Sequence, residues 1–235
     1  MIMLKAILVS VCVIGNMFAF SQDTINQVDA QGRKQGFWRK MDKDNLRVYE
    51  GQFRDDVPYG KFTYYYQNIK VRTISLISED GKVARTTSWF ANGKLMAKGN
   101  YLNQQRDSLW QFFSEYDGSL VSEEFYVNGK KHGTEKIFYP GNGVAEIIPW
   151  VDGVKEGEWE QFYDDGAPKL TGSYKDGEKE GPLLTFFLNG KLLVSGFYLN
   201  GRQDSTWVYY DDKGSVTLKE YYDDGILLKK EEMNS

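Results

Sequence analysis

The side chains best suited to recognition chemistry are aromatic, and their spacing is regular. Trp110, Trp159 and Trp207 each lie nine residues after another ring, on Tyr101, Trp150 and Tyr198. Flat rings with a polar handle can stack on a peptide strand or a sugar while donating a hydrogen bond. These six residues are therefore the candidate binding residues. Catalytic side chains are scarce. One His (His132) and one Cys (Cys12) in 235 residues leave no partner for a two-histidine metal site or a His-dependent hydrolase. Paired carboxylates occur at Asp55-Asp56, Asp164-Asp165-Gly166, Asp211-Asp212 and Asp223-Asp224-Gly225. They could offer oxygen ligands to calcium or an acid/base pair to a glycosidase. None has calcium-loop spacing, and Asp is a common turn residue on other grounds. No phosphate-cradling Gly-rich loop is present, and the net charge of −4 gives no nucleic-acid footprint. The expectation is no catalytic residue, no metal and no cofactor.

The elements that position the rings follow from an internal repeat. Turn-like residues recur at Gly32, Asp56, Gly81, Gln104, Gly129, Gly153, Gly177, Gly201 and Gly225, a period of about 24 that makes eight to nine units. With each as offset zero, −3 holds Phe53, Tyr101, Tyr126, Trp150, Tyr174, Tyr198 and Tyr222. Offset +4 holds Gly or Ser in most copies. Offset +6 holds Trp38, Phe62, Trp110, Trp159 and Trp207, and +9 holds Tyr65, Phe90, Phe113, Phe138, Phe162, Phe186 and Tyr210. A second turn falls near +13, as in Asn92-Gly93, Asp117-Gly118, Asn142-Gly143, Asp165-Gly166 and Asn189-Gly190. Asn-Gly and Asp-Gly tolerate positive φ, so the pattern predicts β-hairpins. Taking the first loop as offsets 0 to +3 makes Phe53/Phe62, Tyr101/Trp110, Trp150/Trp159 and Tyr198/Trp207 direct cross-strand partners. The small residue at +4 is then expected where the chain returns close to its neighbour's backbone. Strand alternation places +6 and +9 on opposite faces. The stretch Ile74–Ala91 departs from the pattern, with Arg85 at +4 and Thr87 at +6.

Residues 1–21 read as a secretory signal peptide. Lys5 precedes an apolar run from Ala6 to Phe20, and Ala19-Phe20-Ser21 supplies small residues at −3 and −1 of a cleavage site before Gln22. Cys12 sits within the apolar run, so a lipoprotein anchor is not expected. Residues 22–235 are expected to form a single repeat domain, exported to the periplasm or beyond, without stable membrane insertion after cleavage.

The stretches Tyr174-Lys175-Asp176-Gly177-Glu178-Lys179-Glu180-Gly181 and Val127-Asn128-Gly129-Lys130-Lys131-His132-Gly133 resemble the Gly-rich core of MORN repeats. Tyr198-Leu199-Asn200-Gly201 followed by Trp207-Val208-Tyr209-Tyr210 is similar to the bacterial variant of that repeat. The resemblance implies an all-β fold, an elongated, twisted antiparallel sheet or solenoid of successive hairpins. It implies a scaffold or binding role without catalytic residues. The expected function is an exported, non-enzymatic scaffold that binds a protein partner through an aromatic-lined repeat surface. The alternatives are an antitoxin-like immunity protein masking a toxin, which some bacterial relatives suggest, and a cell-envelope carbohydrate-binding module. Exposed terminal repeats make self-association a further expectation.

Overall fold

The computed structural model describes residues 24–233 except 68 and 142. The expected signal peptide, Cys12 and Asn142 of the Asn142-Gly143 turn lie outside the described residues. The chain is all-β, as expected: one long, unclosed antiparallel sheet of 21 strands, built as successive hairpins. Strands next to each other in the chain are neighbours in the sheet, so every pairing is local. Representative outgoing and returning strands are Leu95–Leu102 with Gln105–Phe113, and Leu192–Leu199 with Arg202–Tyr210.

The first turn is tighter than the sequence spacing suggests. It contains two residues, offsets −1 and 0, both at positive φ: 49° and 79° at Asn128-Gly129, 51° and 89° at Asp152-Gly153. This conformation matches the right-handed twist of the flanking strands, and Asn or Asp followed by Gly adopts it at low cost. Asp55-Asp56 and Asn103-Gln104 adopt it without glycine, with φ between 49° and 69°. The expected four-residue loop is thus incorrect. Offset −3 pairs opposite +2, as in Tyr126 with Lys131 and Tyr101 with Arg106.

A bulge then restores the aromatic contact by another route. In the 95–113 hairpin the register runs from Asn100↔Asp107 to Lys98↔Gln111, so Gly99 alone faces Ser108, Leu109 and Trp110. The bulge requires a left-handed residue at +4, where φ is 59° at Ser108 and Ser205, 73° at Gly133 and 82° at Gly181. Backbone conformation, not a close return of the chain, is what selects small residues there. A Cβ at Gly36, Gly60 or Gly133 would meet nothing within 4 Å.

The second turn closes as a three-residue loop ending in a left-handed residue. The Phe90 N–H donates to the Lys94 carbonyl at 2.8 Å around Gly93, at φ 88°. The same closure recurs at Tyr163–Ala167, Phe187–Lys191 and Asp211–Ser215. Successive turns are also tied to each other. Gly153, Gly177 and Gly201 donate their N–H to the carbonyls of Lys131, Lys155 and Lys179 in the preceding hairpin. At the other edge, the hydroxyls of Tyr139 and Tyr163 reach the carbonyls of Phe162 and Phe186, 23 residues on.

Packing is concentrated on one face. Two clusters form there, one around Ala97, Trp110 and Tyr126, the other around Ile148, Trp159, Leu183 and Trp207. The irregular stretch lies between Phe62 and Gly99 on this same face. Strands Val71–Ile77 and Val83–Trp89 pair without a bulge, so Arg85 needs no left-handed backbone. Hydroxyl pairs replace rings: Ser75–Thr86 and Thr73–Ser88, each at 2.9 Å. The +9 rings lie on the reverse face, as expected from alternation. Tyr65 donates to Glu50 at 2.6 Å, and the Lys98 ammonium stands 5.7 Å from the Phe113 ring centre.

Candidate functional site

The six candidate residues share the packed face, but they stand at two depths. Trp110, Trp159 and Trp207 are buried, with 3%, 6% and 4% of their surface exposed. Tyr101, Trp150 and Tyr198 are half-buried and stand nearer the tight turns. Three of the four expected aromatic pairs form as edge-to-face contacts across the bulge. Tyr101–Trp110 is 5.0 Å between ring centres at 77°, Tyr198–Trp207 is 5.2 Å at 88°, and Phe53–Phe62 is 5.2 Å at 84°. Such contacts add roughly 0.5–1.5 kcal/mol beyond the area they bury. In the fourth hairpin Trp159 has its ring contact with Tyr174, at 5.3 Å, and Trp150 turns its indole N–H to Glu135 at 2.7 Å.

What lets Phe62, Trp110 and Trp207 lie flat on the sheet is a glycine at offset −5; the Trp159 copy has Ile148 there. A Cβ at Gly99 or Gly196 would sit 2.3 Å from the indole of Trp110 or Trp207, and at Gly51 2.5 Å from Phe62. The indole N–H of Trp110 then reaches the Asn100 carbonyl at 2.9 Å, and that of Trp159 reaches Glu146 at 2.7 Å.

Cations form the upper layer of this face. Offset +2 holds Lys34, Arg106, Lys131, Lys155 and Lys179, whose charged ends lie over the rings. Lys34 is 5.0 Å from the Trp38 ring centre and 4.7 Å from Phe53. Arg106 is 4.8 Å from Trp110 and 5.3 Å from Tyr126. Lys155 lies 5.7 Å from Trp150 and 4.8 Å from Tyr174, and Lys179 lies 5.1 Å from Trp159 and 5.0 Å from Tyr198. The quadrupole of a ring face attracts a cation at this distance.

One hairpin buries an acid in this series. Offset +6 of the 129 copy is Glu135, only 8% exposed, where five other copies have a ring. Lys131 pairs with it at 2.7 Å and with Glu124 at 3.3 Å. Burial disfavours the Lys131 charge, yet the two carboxylates outweigh that and raise its pKa. Glu124 also accepts from the Tyr126 hydroxyl, whose pKa is raised by burial first and by that bond second. Glu220 plays the corresponding part further along, accepting from Tyr209 at 2.7 Å and Tyr222 at 3.1 Å. Burial and the Glu220 contact raise the Tyr209 pKa well above the usual phenol value.

The acidic turns have local work. Asp165 accepts the Ala167 N–H, and Asp211 accepts those of Lys213 and Ser215. His132 lies at a tight turn, its Nδ1 3.5 Å from the Asp152 N–H and its imidazole partly exposed. Glu156 and Glu180, at the same +3 offset, cap the next turn through Asp176 and Asn200 at 2.7 and 2.8 Å.

The profile of the MORN repeat variant matches residues 82–103, 155–176 and 179–200. The chain carries MORN-variant repeats. Each matched segment covers a return strand, the three-residue turn, the next outgoing strand and the start of the following tight turn, so the MORN-variant unit straddles two hairpins. The first match takes in residues 82–91 of the irregular stretch, so this part matches the repeat even though strand Val83–Trp89 pairs with Val71–Ile77 without a bulge. No curated protein matches the chain. The sequence reading missed the −5 glycine, the +2 cation and the buried carboxylates. All three recur in the same 24-residue alignment, the acids only twice each, with Glu124 and Glu220 at −5 and Glu135 and Glu231 at +6.

Proposed function

We propose that the protein is an exported, non-enzymatic scaffold that holds a protein partner against the ring-and-cation face of its MORN-variant sheet. The observation that carries this reading is the half-buried row of Trp150, Tyr174 and Tyr198 interleaved with Lys155 and Lys179 at the tight-turn side of the face. Aromatic anchors are what protein-recognition surfaces concentrate, and the ammonium groups beside them add a charge pattern that selects among partners. A structural use for the acidic groups supports the non-enzymatic part. Glu135 and Glu146 each bond an indole N–H, and the turn aspartates bond turn backbone. The export part rests on the signal-like segment 1–21.

The test is photo-crosslinking from positions flanking the row, with residues 22–235 returned to envelope extracts. One stoichiometric protein partner, lost in Trp150→Ala and Tyr198→Ala but kept in a reverse-face variant such as Lys136→Ala, is the expected result. Partner capture indifferent to both ring substitutions overturns the reading.

A further inference from the structure

Lys155 and Lys179 are the one neighbouring pair among the +2 cations in which, among the described residues, neither member has a carboxylate within ion-pair reach. Lys34 and Arg106 also lack one, but Lys34 is followed by Pro58, and Arg106 by Lys131, which is neutralised by Glu124 and Glu135. At the next position the series ends with the neutral Gln203. Two half-buried, uncompensated ammonium groups are therefore left side by side, bounded by a neutralised lysine and a glutamine. They stand on return strands separated by the single outgoing strand Pro168–Lys175. Two strand spacings are about 9.6 Å. A polyproline II chain completes three residues in about 9.3 Å. We propose that this pair binds an acidic peptide in an extended, polyproline II-like conformation running across the strands, with carboxylates three residues apart, one for each lysine.

The rings define the rest of the fit. Trp150, Tyr174 and Tyr198 flank the two ammonium groups and offer edges to the residues between the carboxylates. Their faces already carry lysine: Nζ of Lys155 stands 4.8 Å from the centre of Tyr174, and Nζ of Lys179 stands 5.0 Å from that of Tyr198. A sugar needs an open ring face for stacking, so the same arrangement favours a peptide over an acidic glycan. The cleft between successive hairpin tips, lined by Tyr174, Glu178, Lys179, Tyr198, Asn200 and Arg202, gives a side chain on that peptide room at the outer edge, and Glu178 there favours a neutral or basic side chain between the peptide's carboxylates. The inference rests on the scaffold reading and specifies its ligand.

The experiment is a fluorescence and calorimetric titration of residues 22–235 at low salt. The probes are a peptide of four Glu-Pro-Pro triplets, its Gln-Pro-Pro counterpart, a peptide with Glu at every fourth residue, and a polyuronate oligosaccharide. The Glu triplet peptide is expected to bind best. Lys155→Gln and Lys179→Gln should each weaken it about two- to fivefold, the range for partly exposed ion pairs. The double variant should lose about tenfold or more if the two contacts act together, and Lys179→Arg should retain binding. Equal binding of the Gln peptide or of the four-residue spacing, or variants that bind like the parent, overturns the proposal. Polyuronate binding without peptide binding overturns it in favour of a glycan. If the double lysine variant keeps a crosslinked partner that Trp150→Ala loses, this inference falls and the scaffold reading stands. If neither set changes capture, the scaffold reading itself falls.

Discussion

Replacing Gly196 by Ala should damage the C-terminal cluster out of proportion to one methyl group. The new Cβ would lie 2.3 Å from Cδ2 and 2.5 Å from Cε2 of Trp207. No flexible chain end can yield there, because the contact is with the middle of a rigid indole. That indole is 4% exposed and is held edge-on by Tyr198 at 5.2 Å and Tyr222 at 6.3 Å. Displacing it disturbs both neighbours, so the cost belongs toward the upper end of the roughly 1–3 kcal/mol typical of overpacking. Gly172→Ala is the matched control. Its nearest atom is the terminal Cδ1 of Leu183 at 3.1 Å, with the Trp159 ring edge at 3.3 Å, and its φ is not left-handed. A methyl can move by a few tenths of an ångström, and Ala gains about 0.4–1 kcal/mol by restricting the unfolded chain. The net change at 172 should therefore lie within about 1 kcal/mol of zero. Repeat arrays do not unfold all at once, so a global midpoint would dilute the effect. Native-state hydrogen exchange resolved to strands Leu192–Leu199 and Arg202–Tyr210 measures it locally. Gly196→Ala exchanging no faster than Gly172→Ala would refute the claim that the glycine exists to seat the ring.

Three further outcomes follow from the same geometry. Gln104→Gly should raise stability by about 1 kcal/mol, because a non-Gly residue is held at φ 66° there; the thermal midpoint checks it, and a fall would contradict the turn assignment. Glu135→Ala should cost about 3 kcal/mol by opening a cavity, leaving the Trp150 indole N–H without its acceptor and the Lys131 ammonium with Glu124 alone, read by denaturant unfolding, and a neutral result would deny its role as the core of that hairpin. The Asp117 carboxyl is held down to about 2 by bonds from the Ser114 hydroxyl and then the Ser119 backbone and hydroxyl. Its folded pKa is below the unfolded value of about 3.9, so its contribution is present above that pH and is lost as pH falls toward 2; an NMR titration midpoint near the unfolded value would contradict this.

Much of the architecture was legible because the chain repeats. The Asn-Gly and Asp-Gly steps mark both turns, and strand alternation correctly separates Phe62 from Tyr65 and Trp110 from Phe113 onto opposite faces. The loop size was not legible from spacing alone. A two-residue turn plus a bulge and a four-residue turn without one both bring −3 near +6, and only backbone torsions at Ser108 and Ser205 distinguish them. Burial of the +6 rings was hidden for a related reason. Whether Trp207 lies flat depends on Gly196, eleven residues before it, and that dependence passes through the bulge. Glu124 and Glu135 replace the usual glycine and ring, and only the 225 copy repeats them, as Glu220 and Glu231, which is too sparse to stand out from the repeat; their places follow from the register that sets Lys131 between them.

Hydroxyl-radical footprinting of the folded protein, read residue by residue by mass spectrometry, tests the two-depth arrangement of the rings most directly. Tyr116, 93% exposed, serves as the fast internal reference. Trp150, Tyr101 and Tyr198 should be oxidised at intermediate rates, and Trp110, Trp159 and Trp207 should be strongly protected. Oxidation of the three buried tryptophans as fast as Trp150 would contradict the account.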